Sequence, residues 1–484
     1  MCAGGSGKVG GRSDYGESLW RNAEATPAVA HFVFPMADAP PVLDTTDNNV
    51  APGEQTVSVV PPDSAAANRV DGASPASQGL KFYIEPGFPN RTGPQGIKFD
   101  FNHGARVFLP ARTAGQWRIV LRDIDTGNIL FESNNEGASV QSSKHFYVRF
   151  SIEVQEIDPA GRETSVFSHR YDARDQDVLI QFPGGTLGDN LAWFPYAARF
   201  AAVHGCKLAC MMPDTISPLL RDAYPDIRFV TRDEVKAENL TETAYATYYM
   251  GLFFDDEDCK DQPTDFRHVG LHRTAGYILG VDPAEEPARL ALPDESRPIP
   301  EPYVCIAVQS STHSKKWNNP DGWHRVVAFL KQRGYRVICI DQQPVHGHGL
   351  VWTYIPHGAE DETGNRPLAE RARWLRHAAA FVGLSSGLAW LAWSAGAPVV
   401  MISGFTHPNN EFFTPYRIIN WHTCNSCWND IRHRFDHKDY LWCPRHADSP
   451  RQFECTRLIT VEQVINVLTR VPTLPDLTPL SKEA

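Results

Sequence analysis

The stretch Phe182-Pro183-Gly184-Gly185-Thr186-Leu187-Gly188-Asp189-Asn190 decides the fold. Ahead of it, Val178-Leu179-Ile180-Gln181-Phe182 is a short apolar run of the kind that forms a strand buried on both faces. Behind it, residues 190–203 carry apolar side chains at helical spacing. The unit is therefore strand, glycine-rich turn, helix. Gly184, Gly185 and Gly188 let the backbone approach a ligand closely, and the helix start adds free N–H groups that suit an anion. Asp189 stands where the turn meets the helix. A carboxylate there serves equally as an ordinary helix cap or as a group facing a ligand. The full Gly-x-Gly-x-x-Gly dinucleotide fingerprint is absent.

Working outward, the same rhythm continues downstream. Strand-like runs at 207–211, 227–230 and 245–254 alternate with helical spacing, and a Pro/Glu-rich segment at 282–302 reads as a linker. A second series then begins at Tyr303-Val304-Cys305-Ile306-Ala307-Val308, with a helix over 322–333 and strands at 336–340, 380–383 and 398–402. Two such series predict an α/β protein with two Rossmann-like domains facing a cleft, over 176–298 and 299–420. Upstream, 79–175 holds short alternating runs: Lys81-Phe82-Tyr83-Ile84, residues 96–101, residues 117–121 and residues 145–150. Turn signals separate them, which predicts a small barrel-like or sandwich β domain. It shows no catalytic constellation and reads as a docking or assembly module. Residues 1–78, rich in Ala, Pro, Asp, Ser and Gly, cannot bury enough apolar surface to offset chain ordering and are expected to be a disordered tail. The apolar patch at 29–36 is the one segment of that tail expected to dock. Residues 461–484 complete the chain as a C-terminal helix and tail.

Two more turns resemble the first in kind. Gln309-Ser310-Ser311-Thr312-His313-Ser314-Lys315-Lys316-Trp317-Asn318-Asn319-Pro320 follows the first strand of the second series. Its hydroxyls and ammonium groups suit a diphosphate, and a lysine there would neutralise charge as a sugar–phosphate bond breaks. A solvated polar loop is the rival reading. Phe381-Val382-Gly383-Leu384-Ser385-Ser386-Gly387-Leu388-Ala389-Trp390 runs from a buried strand through a small-residue turn into an apolar helix. Backbone N–H groups and the Ser385 and Ser386 hydroxyls would suit phosphate oxygens, against a reading as a packing turn alone.

Ten cysteines in 484 residues do not make a small disulfide scaffold. Four cluster as Cys424-x2-Cys427-x15-Cys443-x11-Cys455, a spacing that supplies tetrahedral thiolate ligands to one metal, in a finger over 421–460. His422, His433, His437 and His446 are rival ligands. Sulfur ligation suits zinc or iron, and no open coordination position is implied, so a structural metal is expected. The formal net charge of -11 argues against nucleic acid as a partner, and the absence of any apolar run near 18 residues argues against a membrane span. The first residues lack a signal-peptide design. With reduced thiols, that gives an expectation of cytoplasmic location.

The stretch 185–195, the stretch Lys315-Lys316-Trp317-Asn318-Asn319-Pro320-Asp321-Gly322-Trp323, the run Gly387-Leu388-Ala389-Trp390-Leu391-Ala392-Trp393 and the four cysteines together resemble the bacterial autotransporter heptosyltransferases, the TibC-like enzymes. The resemblance covers about residues 79–470. It implies an N-terminal β-barrel, a GT-B core, and one structural iron(III) per chain on Cys424, Cys427, Cys443 and Cys455. It also implies an ADP-heptose donor, serines of an autotransporter adhesin passenger as acceptor, and a homo-oligomer. The family's catalytic aspartate matches Asp189. Its phosphate-contacting lysine lies two residues before a tryptophan, which selects Lys315 over Lys316. Thr312, Ser385, Ser386 and Gly387 would complete the donor contacts, and Gly185, Thr186, Gly188 and Trp193 the acceptor-side loop. The wider heptosyltransferase pattern has Asp-Thr-Gly where Ser385-Ser386-Gly387 stands. No Asp-x-Asp motif lies in a suitable turn, so catalysis without a divalent metal is expected, and Asp255-Asp256-Glu257-Asp258 reads as a solvated acidic run. A glycolipid-directed heptosyltransferase and a non-catalytic adaptor of the same fold are the rival readings.

Overall fold

The computed structural model describes residues 83–182 and 186–477, and these fall within one compact unit. The expected tail over 1–78, Gly185 and the final residues lie outside the described residues.

The strand Asp177–Gln181 is the centre of the first sheet, as its apolar run requires. Its parallel neighbours are Lys207–Met211 on one side and Ala246–Tyr249 on the other, with Arg228–Val230 beyond the former. Numbered along this segment, the order is 3-2-1-4, which is half of a doubly wound sheet. The second sheet is wholly parallel in the order Glu360–Asp361, Arg336–Cys339, Tyr303–Ile306, Phe381–Leu384, Val399–Ile402, Arg417–Ile418. Setting aside a β-hairpin at Val345–His348 and Val351–Tyr354, that order is 3-2-1-4-5-6, the full dinucleotide-domain topology. Residues 283–302 hold neither helix nor strand, as expected of a linker. The helix Val461–Leu468 turns Val461, Val464 and Leu468 onto the second sheet's core.

The β-rich segment differs from expectation in three respects. It does not close a single ladder among the described residues. Lys98–Asn102 pairs in parallel with Ala246–Tyr249 and carries Arg106–Leu109 and Ala138–Gln141, so these strands continue the first sheet. The other strands, Ile129–Asn135, Gln116–Asp123, Phe150–Ile157 and Glu163–Arg170, form a separate antiparallel sheet. The two sheets share one core, in which Phe101 and Phe150 stack at 6.2 Å. The physical reason is the edge of the first sheet, whose open N–H and C=O groups are covered by Lys98–Asn102. The strand expected at 145–150 also contracts, and only Phe150 belongs to one. The amides of His145 and Tyr147 donate instead to the carbonyls of Lys260 and Ile278, and the Tyr147 ring packs on Phe200 and His204. Of the run expected at 81–84, Tyr83 and Ile84 are described and lie in no strand.

The two domains meet through the helices that follow their first and fourth strands. Leu187–His204 packs against Gly387–Ser394 start to start. A Cβ placed on Gly188 would lie 3.3 Å from the Gly387 Cα and 3.1 Å from Trp390, and one on Gly387 would lie 3.0 Å from the Gly188 nitrogen. Backbone is therefore pressed on backbone at this crossing, and neither side can yield a side chain. We expect Gly387→Ala to destabilise the protein by about 1–3 kcal/mol, the usual range for overpacking, and to weaken ligand binding in the cleft. Urea unfolding of the two proteins measures the first effect.

Candidate active site

The helix crossing walls a cavity of about 620 Å³, the size of a small-molecule site, lined from both domains and from the finger. On the first domain's side, Thr186 caps Leu187–His204 and Asp189 closes a capping box. The Thr186 amide and hydroxyl donate to the same Asp189 oxygen, Oδ2, at 3.2 and 2.6 Å. Its Oδ1 accepts no hydrogen bond among the described residues. One oxygen thus fixes the helix start, and the residue also lines the cavity. Burial pushes the Asp189 carboxyl up from its ordinary range, opposed by the Thr186 hydrogen bond and the charge of Lys315. Gly188 and Trp193 also line the cavity, and the Trp193 indole donates to the Leu271 carbonyl at 2.6 Å.

From the second domain come Lys315, Ser385, Ser386 and Gly387. The Lys315 ammonium stands 5.3 Å from the ring centre of Phe405 and 5.8 Å from that of Trp428. Burial lowers its pKa, while Asp189 and Glu411 oppose the shift. No side-chain hydrogen bond holds it among the described residues, so its protons are available to a ligand. Lys316 points away from the cavity: its ammonium donates to the Thr353 hydroxyl and lies 5.2 Å from the centre of Tyr440. Thr312 departs from expectation. It does not line the cavity, because its hydroxyl is spent on the Tyr440 carbonyl at 3.1 Å, and its neighbour Ser311 lines the cavity instead. Ser385 donates to Glu411 and accepts from the Thr406 hydroxyl at 3.0 Å, whereas the Ser386 hydroxyl is buried without a partner among the described residues. The N-termini of two helices, one ammonium and an unpaired hydroxyl therefore converge on one space, which suits a diphosphate.

Residues the sequence reading passed over complete the walls. Glu411, 2 % exposed, is held by the Arg417 guanidinium at 2.8 Å and follows the fifth strand of the second sheet. The rule that ligands sit beyond the carboxyl ends of parallel strands points to it. The acidic run is not merely solvated. Asp256 accepts the backbone N–H groups of Lys260, Asp261 and Gln262 at 2.7–3.0 Å, and Asp255 pairs with Arg434 at 2.8 Å.

Arg434 belongs to the finger, which does more than fold itself. Trp428, Arg434, Phe435 and His437 line the cavity, and the Asn429 amide donates to the Arg267 carbonyl of the first domain at 3.0 Å. Trp428 follows Cys427 and Trp442 precedes Cys443, and both rings pack on Phe405 beneath Lys315. All four cysteines of the cluster are free thiols, with Cys427, Cys443 and Cys455 buried. Burial pushes the Cys424 thiol up to about 12 and Cys427 to about 11; the neighbouring thiols add to both. Cys455 is raised too, by burial and then by Cys424, Cys427 and Cys443. Thiols are the soft donors that zinc or iron takes up as thiolates, but among the described residues the four cysteines do not close into one compact ligand group. Of the rival ligands, His446 with Glu454 and Cys424 forms a compact trio, but Glu454 is already held by Arg451 at 2.7–2.8 Å.

Comparison with known proteins decides the family. The family descriptions "Glycosyltransferase TibC, N-terminal domain" and "Glycosyltransferase family 9 (heptosyltransferase)" match residues 93–158 and 278–435. An autotransporter heptosyltransferase of Citrobacter rodentium is 53% identical over 81% of this chain and 92% of its own length. The chain belongs to the autotransporter heptosyltransferase family. The iron-containing dodecameric heptosyltransferase TibC of enterotoxigenic E. coli, solved alone and with ADP-D-beta-D-heptose, is 51% identical, with a TM-score of 0.75 over 80% of this chain and 99% of that one. A relative from Burkholderia thailandensis, 45% identical over 85% of this chain and 92% of its own length, is described as an inactive autotransporter heptosyltransferase. As a family 9 glycosyltransferase, this chain is an enzyme.

The two lysines give a direct check. Lys315→Ala should weaken ADP binding at least about tenfold, the scale of one hydrogen bond to a charged group, whereas Lys316→Ala should change it far less. Isothermal titration with ADP reads both, and equal losses would show that the cavity does not distinguish them.

Proposed function

We propose that this heptosyltransferase moves a heptose from ADP-heptose to serine hydroxyls on the passenger domain of an autotransporter adhesin, in a GT-B arrangement of its two domains. The observation that carries the reading is the placement of the free Asp189 oxygen and the Lys315 ammonium on one cavity between two helix starts. The acceptor serine attacks the anomeric carbon, and its proton passes to Asp189 Oδ1. The bond between that carbon and the diphosphate oxygen breaks, and the charge left on ADP is met by Lys315 and the N–H groups at Gly387. No divalent metal is needed for this division of labour. Glu411, rigid and acceptor-only, is suited to donor sugar hydroxyls.

The finger's thiols would hold one iron(III), by likeness to iron-containing TibC, and the ion's role is to fix the segment that carries Trp428, Arg434 and His437 to the cavity. Zinc suits the same donors. A homo-oligomer is supported by TibC's dodecamer and by the hairpin, on which Leu350 is fully exposed and Trp352 and Tyr354 are more than half exposed. Among the described residues no helix is long and apolar enough to cross a membrane, and we place the enzyme in the cytoplasm, where its nucleotide-sugar donor is made available. The alternative, a non-catalytic protein of this fold, takes its support from the inactive relative, and the arrangement of Asp189 and Lys315 speaks for catalysis. Against the glycolipid-directed alternative stand the relatives at 50–53% identity, which are described as autotransporter heptosyltransferases.

Asp189→Asn should leave ADP-heptose binding intact and lower transfer by about 10²–10⁴-fold. Intact-mass analysis of a passenger domain co-expressed with either protein reads the result, and undiminished heptose addition by the variant would remove Asp189 from the mechanism. Because burial raises the Asp189 pKa, its basic form is lost on acidification sooner than for an ordinary aspartate of pKa about 3.9. The acidic limb of kcat should therefore lie above that value, and a profile flat down to pH 4 would contradict it. Cys443→Ser should lower metal content and, because the finger lines the cavity, raise the KM for the donor in whatever folded fraction remains.

A further inference from the structure

Three side chains from three separate segments meet around Asp261, which lines the same cavity, apart from the residues assigned above. His103 follows the strand Lys98–Asn102, His145 follows Ala138–Gln141, and Asp261 lies in the loop after Ala246–Tyr249. Nε2 of His103 and Nδ1 of His145 stand 3.1 and 2.8 Å from one and the same oxygen, Asp261 Oδ1. The two rings lie 4.0 Å apart, and all three side chains are 15–21% exposed. Oδ2 of Asp261 has no hydrogen-bond partner among the described residues, and Asp261 lines the cavity. We propose that His103, His145 and Asp261 form a second metal site, for a divalent transition cation such as zinc, with its open position toward the cavity.

The donor set is the first argument. Two imidazole nitrogens and one carboxylate oxygen suit zinc or a neighbouring transition ion, whereas magnesium and calcium prefer oxygen alone. Three protein ligands leave a position for water or a ligand group. Ligand atoms about 2.0–2.1 Å from a tetrahedral zinc lie about 3.3 Å from one another. The separations of 2.8 and 3.1 Å need only a few tenths of an ångström of relaxation to admit the ion.

Support from the surroundings is the second argument. Metal ligands are held in place by their own hydrogen bonds and packing. Here the Asp261 loop is pinned by Asp256 through three backbone amides, and the His145 amide donates to the Lys260 carbonyl at 2.8 Å. The Gln141 amide donates to the His103 carbonyl at 2.9 Å, and Tyr249 packs on the His103 ring at 4.2 Å. Gly104, at φ +92°, permits the turn that presents His103; a Cβ there would fall 2.6 Å from the Lys144 carbonyl and the Ser142 hydroxyl. Bound metal would tie the β-rich segment to the cavity-lining loop Gly251–Asp256 and Asp261 independently of the finger.

The test compares wild-type protein with His145→Gln and Asp261→Asn after equilibrium dialysis against zinc alone. Glutamine can still donate an N–H to Asp261, so a purely hydrogen-bonded trio survives that change, whereas an imidazole ligand does not. Elemental analysis should find one zinc fewer per chain in both variants, with the metal held by sulfur unchanged. Equal zinc uptake in all three folded proteins would overturn the proposal and leave a hydrogen-bonded trio only. X-ray absorption at the zinc edge of the wild-type protein answers the question without a variant, should either one fail to fold. A zinc shell with nitrogen and oxygen donors supports the site, and one made of sulfur alone overturns it.

Discussion

The rest of the molecule depends on the meeting of two helix starts, at Gly188 and Gly387. Each helix follows a parallel strand of its own sheet, and each brings the backbone N–H groups of its first turn to its N-terminus. Packed start to start with no Cβ between them, the helices place two partial positive charges on one side of a single cavity. That arrangement prepares the site for an anion before any side chain is considered. The lysine, the serines and the aspartate then refine it. Larger residues at either glycine would separate the domains and dissolve the convergence.

The finger is the third wall. Its aromatic residues adjoin Cys427 and Cys443 in sequence and pack on Phe405 beneath Lys315 in space. Its Arg434 and Asn429 reach the opposite domain. A segment read from spacing as a self-contained staple therefore also lines the cavity between the domains. The coupling runs through packing: desolvation of Lys315 among Phe405 and Trp428 lowers the cost of bringing a diphosphate to it, since the cation has already lost much of its water.

Much of this was legible in the chain. Buried parallel strands are continuous apolar runs, which is why 178–182, 303–308 and 380–383 were located within a residue or two and the two doubly wound units with them. Asp189, Lys315, Ser385, Ser386 and Gly387 line the cavity; the turns that carry them were legible because a strand's carboxyl end followed by small residues is a local signal, whereas the choice of Lys315 over Lys316 came from the family resemblance. What escaped was non-local. Thr312 carries the right chemistry, but its hydroxyl is claimed by a carbonyl 128 residues away. Glu411 and His437 lie in loops with no periodicity, and only the tertiary fold turns them inward. The strands of the β-rich segment were recognised, yet nothing in an alternating pattern says which sheet a strand will join.

That last point bears on how the chain comes to be folded at all. Asn102 and Thr247, hydrogen-bonded at 2.7 Å in adjacent parallel strands, are 145 residues apart in sequence. On a ribosome adding about 5–20 residues per second, the strand Lys98–Asn102 would wait on the order of ten to thirty seconds for its partner to be synthesised. Through that interval it is an apolar edge awaiting a mate, and any similar edge nearby is a competitor. Synthesis of the N-terminal half is thus the stage at which this protein most needs a chaperone, and a nascent chain stalled before residue 247 would be the species most prone to aggregate.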